Sequence, residues 1–264
     1  MNSPIPWLGG KSRLADKIIK RIPPHDRYAE VFTGAGWVFF RKPQTRLESL
    51  NDINGDLVAF YRVLQNHLEE FCRQFKWLLT SRELFDDFRS QQEARGLTDI
   101  QRASRFYYTQ RLAFAGRQGG VFGVDKSSPP RINLVRMEEE LSRVHLRLAN
   151  VIIEHLPWED YLARYDDKGT FFYLDPPYWG CENDYGTDIF SREDFAAMAT
   201  RLAELGGDFL LSINDVPEIR ELFAAFRIEE VSTLYTANKE ANRQVRELII
   251  TNFAPTNDLI GLCL

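Results

Sequence analysis

Phe171-Phe172-Tyr173-Leu174 runs without a break into Asp175-Pro176-Pro177-Tyr178. Four consecutive large apolar or aromatic residues with no alternation predict a strand covered on both faces, as in a parallel sheet. Two prolines end it, since neither has an N–H to give to a ladder. In open α/β sheets ligands gather beyond the carboxyl ends of the strands. A carboxylate, two prolines and a tyrosine at such an end are therefore candidates for chemistry. From average composition the tetrapeptide arises by chance in roughly one chain of this size in a thousand, so it is read as a signal.

Working outward, the same grammar recurs. Tyr28–Phe32 is a short β-prone run that ends in Thr33-Gly34-Ala35-Gly36, and helix-compatible sequence follows over Trp37–Lys42. Leu47–Leu50 predicts a second strand ending at Asn51-Asp52, and Asn54 is a good N-cap. Leu57, Phe60, Tyr61, Leu64, Leu68, Phe71 and Phe75 then recur at helical spacing, and residues 81–94, 99–115 and 134–149 are also helical in pattern. Between them, residues 116–133 carry four glycines and two prolines, a long loop or hairpin. Val151–Ile153 and Phe209–Ile213 predict further buried strands, Ser191–Leu205 and 216–225 helices, and 226–236 and 245–252 two last strands. Strand and helix alternate at both ends while the middle is helical. That pattern implies an α/β sheet interrupted by an inserted, mostly helical domain.

Composition narrows the classes. The chain has 264 residues, 44% hydrophobic and 27% charged, which is ordinary globular material. No window is long and apolar enough to span a bilayer, and Met1–Trp7 lacks the pattern of a signal peptide, so a cytoplasmic protein is expected. Cys72, Cys181 and Cys263 are odd in number and far apart, which suggests neither a disulfide framework nor a metal site. The net charge is −5, yet residues 101–136 hold seven basic side chains and one acidic, and the first 27 residues six basic and two acidic. Charge segregated in this way suits an anionic partner or a solvated helix face.

Gly9-Gly10-Lys11-Ser12 is not a phosphate-binding P-loop, because position 5, where that loop needs Gly, is Ile5. Gly34 and Gly36, after a strand and before a helix, let backbone approach a ligand closely. Phe39 stands where a dinucleotide fingerprint wants a third small residue. Asp52, eighteen residues after Gly34 at the expected end of the second strand, can accept hydrogen bonds from both ribose hydroxyls of a nucleoside cofactor. S-adenosylmethionine, with a ribose and no pyrophosphate, fits these features. An amine conjugated to a ring is a poor nucleophile. Asp175 and the Pro176 carbonyl can accept its two N–H bonds, freeing the lone pair and stabilising the charge that grows on nitrogen. Pro177 adds stiffness without opposing an amino group with a donor, and Tyr178 offers a flat face for a base.

The order of these motifs resembles that of Dam-like (D12 class, alpha group) DNA adenine-N6 methyltransferases. Pro6-Trp7-Leu8-Gly9-Gly10-Lys11 resembles their N-terminal motif, Glu30–Gly36 the cofactor loop, Asn51–Asn54 the ribose motif and Asp175–Tyr178 the catalytic motif. Ser212-Ile213-Asn214-Asp215 resembles the next strand motif, and Asn242-Arg243 with Val245–Ile249 the C-terminal one. The resemblance implies a Rossmann-like S-adenosylmethionine-dependent sheet over residues 1–56 and 146–264, with a target-recognition domain over 57–145. It implies cofactor contacts at Trp7, Lys11, Phe32, Gly34, Gly36, Asp52 and Asp175. It implies double-stranded DNA as partner, met by Lys11, Tyr108, Arg111, Arg117 and Lys126. The segment Arg117–Gly123 is shorter than the DNA-probing hairpin of GATC-methylating members, which leaves the recognition sequence open. Methylation of cytosine N4 or a protein amide, and a non-catalytic DNA-binding protein, are the rival readings. Oligomeric state stays open, a monomer included.

Overall fold

Parallel pairing organises the sheet. The structure, a computed structural model, describes residues 1–92, 94–123, 131–182, 189–235 and 243–254, with backbone only at 233–235 and 243–245. Lys126, Asn242 and most of the polar loop before the last strand lie outside the described residues. The strands are β1 (Arg27–Glu30), β2 (Leu47–Asn51), β3 (Val151–Glu154), β4 (Thr170–Leu174), β5 (Asp208–Asn214), β6 (Arg227–Tyr235) and β7 (Arg243–Thr251). They form one seven-stranded sheet in the order β3-β2-β1-β4-β5-β7-β6. β1 runs parallel to β2 and to β4, β4 runs parallel to β5, and β7 is antiparallel to both β5 and β6.

By compactness the chain divides into two units. One comprises Met1–Lys11, Gly34–Arg41 and Asn54–His155; the other comprises Ser12–Thr33, Lys42–Ile53 and Leu156–Leu264. These limits differ from the expected ones. The N-terminal strip and the segment after the Gly-rich turn cluster with the helical insertion, because their backbone packs on that unit's side chains.

In the second unit, here the sheet unit, the two faces of β1, β4 and β5 differ. Ala29, Phe172, Leu174, Phe209, Leu211 and Ile213 face a core closed by α8 (Trp158–Tyr165), α9 (Arg192–Ala203) and α10 (Pro217–Leu222). Each large apolar side chain buried there contributes about 1.5–3 kcal/mol. The α9 start is held by the Asp194 carboxylate, which accepts from Ser191 N at 2.7 Å and Ser191 Oγ at 2.8 Å. Two short helices were not expected: α1 (Ala15–Ile19) and α8. The opposite sheet face is polar but equally buried, with Tyr28, Glu30, Glu48, Tyr173 and Ser212 all under 6% exposed.

The helical unit contains α2 (Trp37–Arg41), α3 (Gly55–Asn66), α4 (Leu68–Phe75), α5 (Arg82–Ser90), α6 (Asp99–Leu112) and α7 (Leu134–Leu148). The apolar run from 57 to 75 breaks at His67, giving two helices where one long helical stretch is read from sequence. Asn54 caps α3 by accepting from Asp56 N and Leu57 N, both at 3.1 Å. Thr98 and Gln101 form a reciprocal capping box on α6. The helices close on an aromatic cluster in which Phe60 stacks on Tyr107 with ring centres 5.6 Å apart, and Phe71 and Phe75 meet Tyr107 edge-on. β3, expected to be covered on both faces, is an edge strand with Ile152 52% exposed. No helix among the described residues is long and apolar enough to cross a membrane.

Candidate active site

Register brings the sheet unit's motif residues to one line. Glu30 pairs with Leu50 on one side and Tyr173 on the other, and Tyr173 pairs with Leu210. Two residues further along each chain stand Phe32, Asp52, Asp175 and Ser212, at the carboxyl ends of parallel strands. Asn51 secures this edge. Its amide donates to Val31 O and Leu156 O, both at 3.1 Å, and its Oδ1 accepts from Leu156 N at 2.9 Å. The Thr33 hydroxyl also donates to Asn51 O at 2.9 Å. Asp52 follows, half-buried, while Phe32 packs against the apolar core and meets Phe190 edge-on at 6.0 Å.

Asp175 stands half-buried immediately past β4, and Pro176 and Pro177 are buried behind it. One carboxylate oxygen, Oδ1, accepts from the Ser212 hydroxyl at 3.1 Å. The Asn214 side chain rivets the segment that follows: its Oδ1 accepts from Trp179 N at 2.9 Å and its amide donates to Trp179 O at 3.1 Å. A β-turn bond, Cys181 N to Tyr178 O at 2.8 Å, closes the loop. Tyr178 and Trp179 lie against the apolar core, and Arg192 stands 5.2 Å over the Trp179 ring. The segment Asp175–Trp179 is thus held from β5 at two points. Next to it, Asp215 is paired bidentately with Arg220, which keeps its carboxyl below the usual range.

The helical unit carries the other motif residues. Gly34 has φ +48°, and a Cβ built on it would meet Trp7 Nε1 at 3.0 Å. Its carbonyl accepts from the Tyr61 hydroxyl at 2.9 Å. The N-terminal strip is laced to α6 in the same unit, since the Gln110 amide donates to Pro6 O at 2.8 Å and to Gly116 O at 2.6 Å. Lys11 is 6% exposed, with Nζ 3.3 Å from Gly9 O. Gly34→Ala places a side chain in the left-handed region and against the indole. We expect a loss of about 1–3 kcal/mol in stability and a shifted tryptophan fluorescence spectrum; an unchanged melting curve and spectrum would show that Trp7 does not rest on this glycine.

Two of the expected DNA contacts, Tyr108 and Arg111, hold backbone in this structure. Tyr108 is 1% exposed, and its hydroxyl donates to Leu79 O at 2.9 Å and accepts from Ser81 N at 3.1 Å. It is a core residue that ties α6 to the start of α5, and burial raises its phenol above the ordinary value. Arg111 braces backbone: Nη2 donates to Arg131 O at 2.8 Å and Nη1 to Pro4 O at 3.5 Å, over the ring of Tyr107. The period that puts Phe106, Tyr107 and Tyr108 on a helix is correct, but α6 is covered on nearly every side. Arg117 is exposed in a hairpin closed by Phe114 N to Val121 O at 2.8 Å and Gly123 N to Leu112 O at 2.7 Å. Phe114 and Val121, each 64% exposed, flank it. Tyr108→Phe removes the partner of Leu79 O and Ser81 N and should cost about 0.5–1.5 kcal/mol of stability with DNA affinity unchanged in a gel-shift titration.

Sequence reading passed over Gln110, took Tyr61 only as one residue of a helical pattern, and took Asn51, Ser212 and Asn214 only as parts of motifs. An asparagine at the end of each of two strands was the available signal for Asn51 and Asn214. Nothing local marks Tyr61 or Gln110.

A mostly parallel sheet with a glycine turn after β1, an acid after β2 and Asp-Pro-Pro-Tyr after β4 has the arrangement of a Rossmann-like methyltransferase. Residues 7–237 match the family described as D12 class N6 adenine-specific DNA methyltransferase. The chain belongs to that family, a family of DNA adenine-N6-methylating enzymes. It is 25% identical to the type II methyltransferase M.CviBI of Paramecium bursaria Chlorella virus NC1A, over 96% of this chain and 98% of that one. It is 27% identical to the DNA adenine methylase of Escherichia coli strain K12, over 92% of each. It is also 28% identical to the DNA N-6-adenine-methyltransferase of Escherichia phage P1, over 84% of this chain. The match spans about a third, 31%, of the phage protein's length.

Proposed function

We propose that this protein transfers a methyl group from S-adenosylmethionine to N6 of an adenine turned out of double-stranded DNA at a specific sequence. The observation that carries the reading is the carboxylate of Asp175 at the end of β4, bonded to Ser212 and followed by a loop that Asn214 clamps. The residues fit the donor. Gly36 has φ +64° and no side chain of its own, Gly34 (φ +48°) seats the Trp7 indole, and half-buried Asp52 supplies an acceptor for ribose hydroxyls. Phe32, Trp7 and Lys11 complete the proposed donor set on the family motif. S-adenosylmethionine, when bound, supplies an electrophilic sulfonium methyl.

The chain's own residues prepare the acceptor. Asp175 and the Pro176 carbonyl accept the two N6 hydrogens, holding the nitrogen toward tetrahedral geometry with its lone pair free. The negative carboxylate also offsets the positive charge that develops on N6. Tyr178 stacks on the extruded base, and Pro177 stiffens the loop. The helical insertion reads the target: exposed Arg117, with Lys11 and Lys126, meets phosphates and base edges. A DNA substrate places the protein in the cytoplasm with its DNA.

The test is incubation of the protein and methyl-labelled S-adenosylmethionine with duplex DNA, RNA or protein. Label on adenine N6 of DNA alone is expected. Label on cytosine N4 or on protein overturns the reading, and no measurable donor binding by calorimetry favours a DNA-binding protein without catalysis.

A further inference from the structure

Behind the Asp175 carboxylate stand two hydroxyls that packing does not require. Ser212 is 0% exposed and Tyr173 is 1% exposed, so neither meets water. The Ser212 hydroxyl donates to Asp175 Oδ1 at 3.1 Å, and the Tyr173 hydroxyl lies 2.9 Å from Ser212 Oγ. A serine hydroxyl has one proton, and a carboxylate can only accept. The Ser212 proton therefore goes to Asp175, and the proton between Tyr173 and Ser212 comes from Tyr173. The chain has one direction, Tyr173 to Ser212 to Asp175.

Register explains how three residues meet. Tyr173 and Asp175 are two apart on the β4 path and share a sheet face, and the pairing of Leu174 with Leu211 sets Ser212 beside Asp175. The reverse face at these positions is apolar, Leu174 and Leu211 among others. Phenylalanine at 173 and alanine at 212 would satisfy a buried sheet without the desolvation cost of two hydroxyls. A carboxylate's terminal torsion is broad and two-fold. A donor fixed in β5 restricts it.

We propose that Tyr173 and Ser212 are positioning residues, a relay that sets the plane of the Asp175 carboxylate for the incoming amine. The inference rests on reading Asp175 as the group that accepts N6–H. Neither residue touches substrate. Their effect falls on the fraction of bound complexes with the carboxylate correctly aimed, and so on kcat, with donor and DNA binding left alone.

The experiment uses the full chain, S-adenosylmethionine and duplex DNA, with Asp175→Ala as reference. Ser212→Ala should lower kcat on the order of 10- to 100-fold with the KM values for donor and DNA unchanged. Tyr173→Phe should lower kcat by less, and the double variant should be no worse than Ser212→Ala alone. Ser212→Thr, which keeps the hydroxyl, should recover most of the rate. Normal kcat in Ser212→Ala beside an inactive Asp175→Ala overturns the relay and leaves the reading of Asp175 standing. So do additive losses, or a Ser212→Thr as slow as Ser212→Ala. Full turnover by Asp175→Ala overturns the reading, and the relay with it. Should Ser212→Ala melt before assay, Tyr173→Phe and Ser212→Thr decide the question.

Discussion

Asp175→Ala is expected to abolish methyl transfer while the protein stays folded. The side chain lies one residue past β4, whose pairing with β1 and β5 ends at Leu174, so the sheet does not depend on it. On the proposed mechanism, what is lost is an acceptor for one N6 hydrogen and the negative charge beside a nitrogen that becomes positive. Removing one preorganised partner of a developing charge lowers kcat by about 100- to 1,000-fold. Here one residue supplies both the hydrogen bond and the charge, so the loss should lie at or beyond the upper end. Asp175→Asn keeps the shape and one acceptor oxygen but loses the charge and can present an NH₂ to an amine. It should retain more activity than the alanine variant, yet far less than the parent. Label transfer under single-turnover conditions gives the rate, and a melting curve within a few degrees of the parent shows the fold. A normal rate in the alanine variant would remove Asp175 from the chemistry.

The largest stability effect is expected on the polar face of the same sheet, away from the site. The Lys42 and Glu48 side chains are each 2% exposed and meet at 2.5 Å. Lys42 Nζ also donates to Pro43 O at 2.8 Å and to Thr45 Oγ1 at 2.9 Å, and it lies 4.2 Å over the ring of Tyr28. Glu48 Oε1 in turn accepts from Thr45 N at 3.0 Å. Glu48→Ala leaves an ammonium buried without its counter-charge, which costs about 3–5 kcal/mol. For a chain of this size that lowers the melting temperature by roughly 10 °C. Lys42→Met combined with Glu48→Leu removes both charges while filling the space, and should regain much of the loss. Turnover per folded molecule should hold, because Glu48 sits near the start of β2 while Asp52 lies beyond its end. A Glu48→Ala protein that melts with the parent would show that water reaches Lys42.

Some of this was legible from residues alone. Phe171–Leu174 is apolar at every position, and β4 is buried at every position. Asn54 announces a helix start, because a cap is a bond between a side chain and backbone two or three residues away. The glycines after β1 and the acid after β2 could be placed because they follow strand ends in sequence. Burial is less legible from a pattern. Tyr108 and Arg111 stand in a basic and aromatic stretch that reads as a DNA-facing helix. In the fold α6 runs through the middle of its unit, and that stretch supplies the aromatic cluster and a backbone brace. Ile152 sits in an apolar run that reads as a covered strand, yet among the described residues β3 has a neighbour on one side only.

The sequence by itself determined the strand ends and which residues stand at them, because turns, caps and prolines act over a few covalent bonds. Only the tertiary structure decided that Ser212 reaches Asp175, that Asn214 clamps Trp179, and that Gly34 lies under Trp7. Those contacts join residues 37, 35 and 27 positions apart, and whether they form depends on strand order and register, which no local propensity encodes.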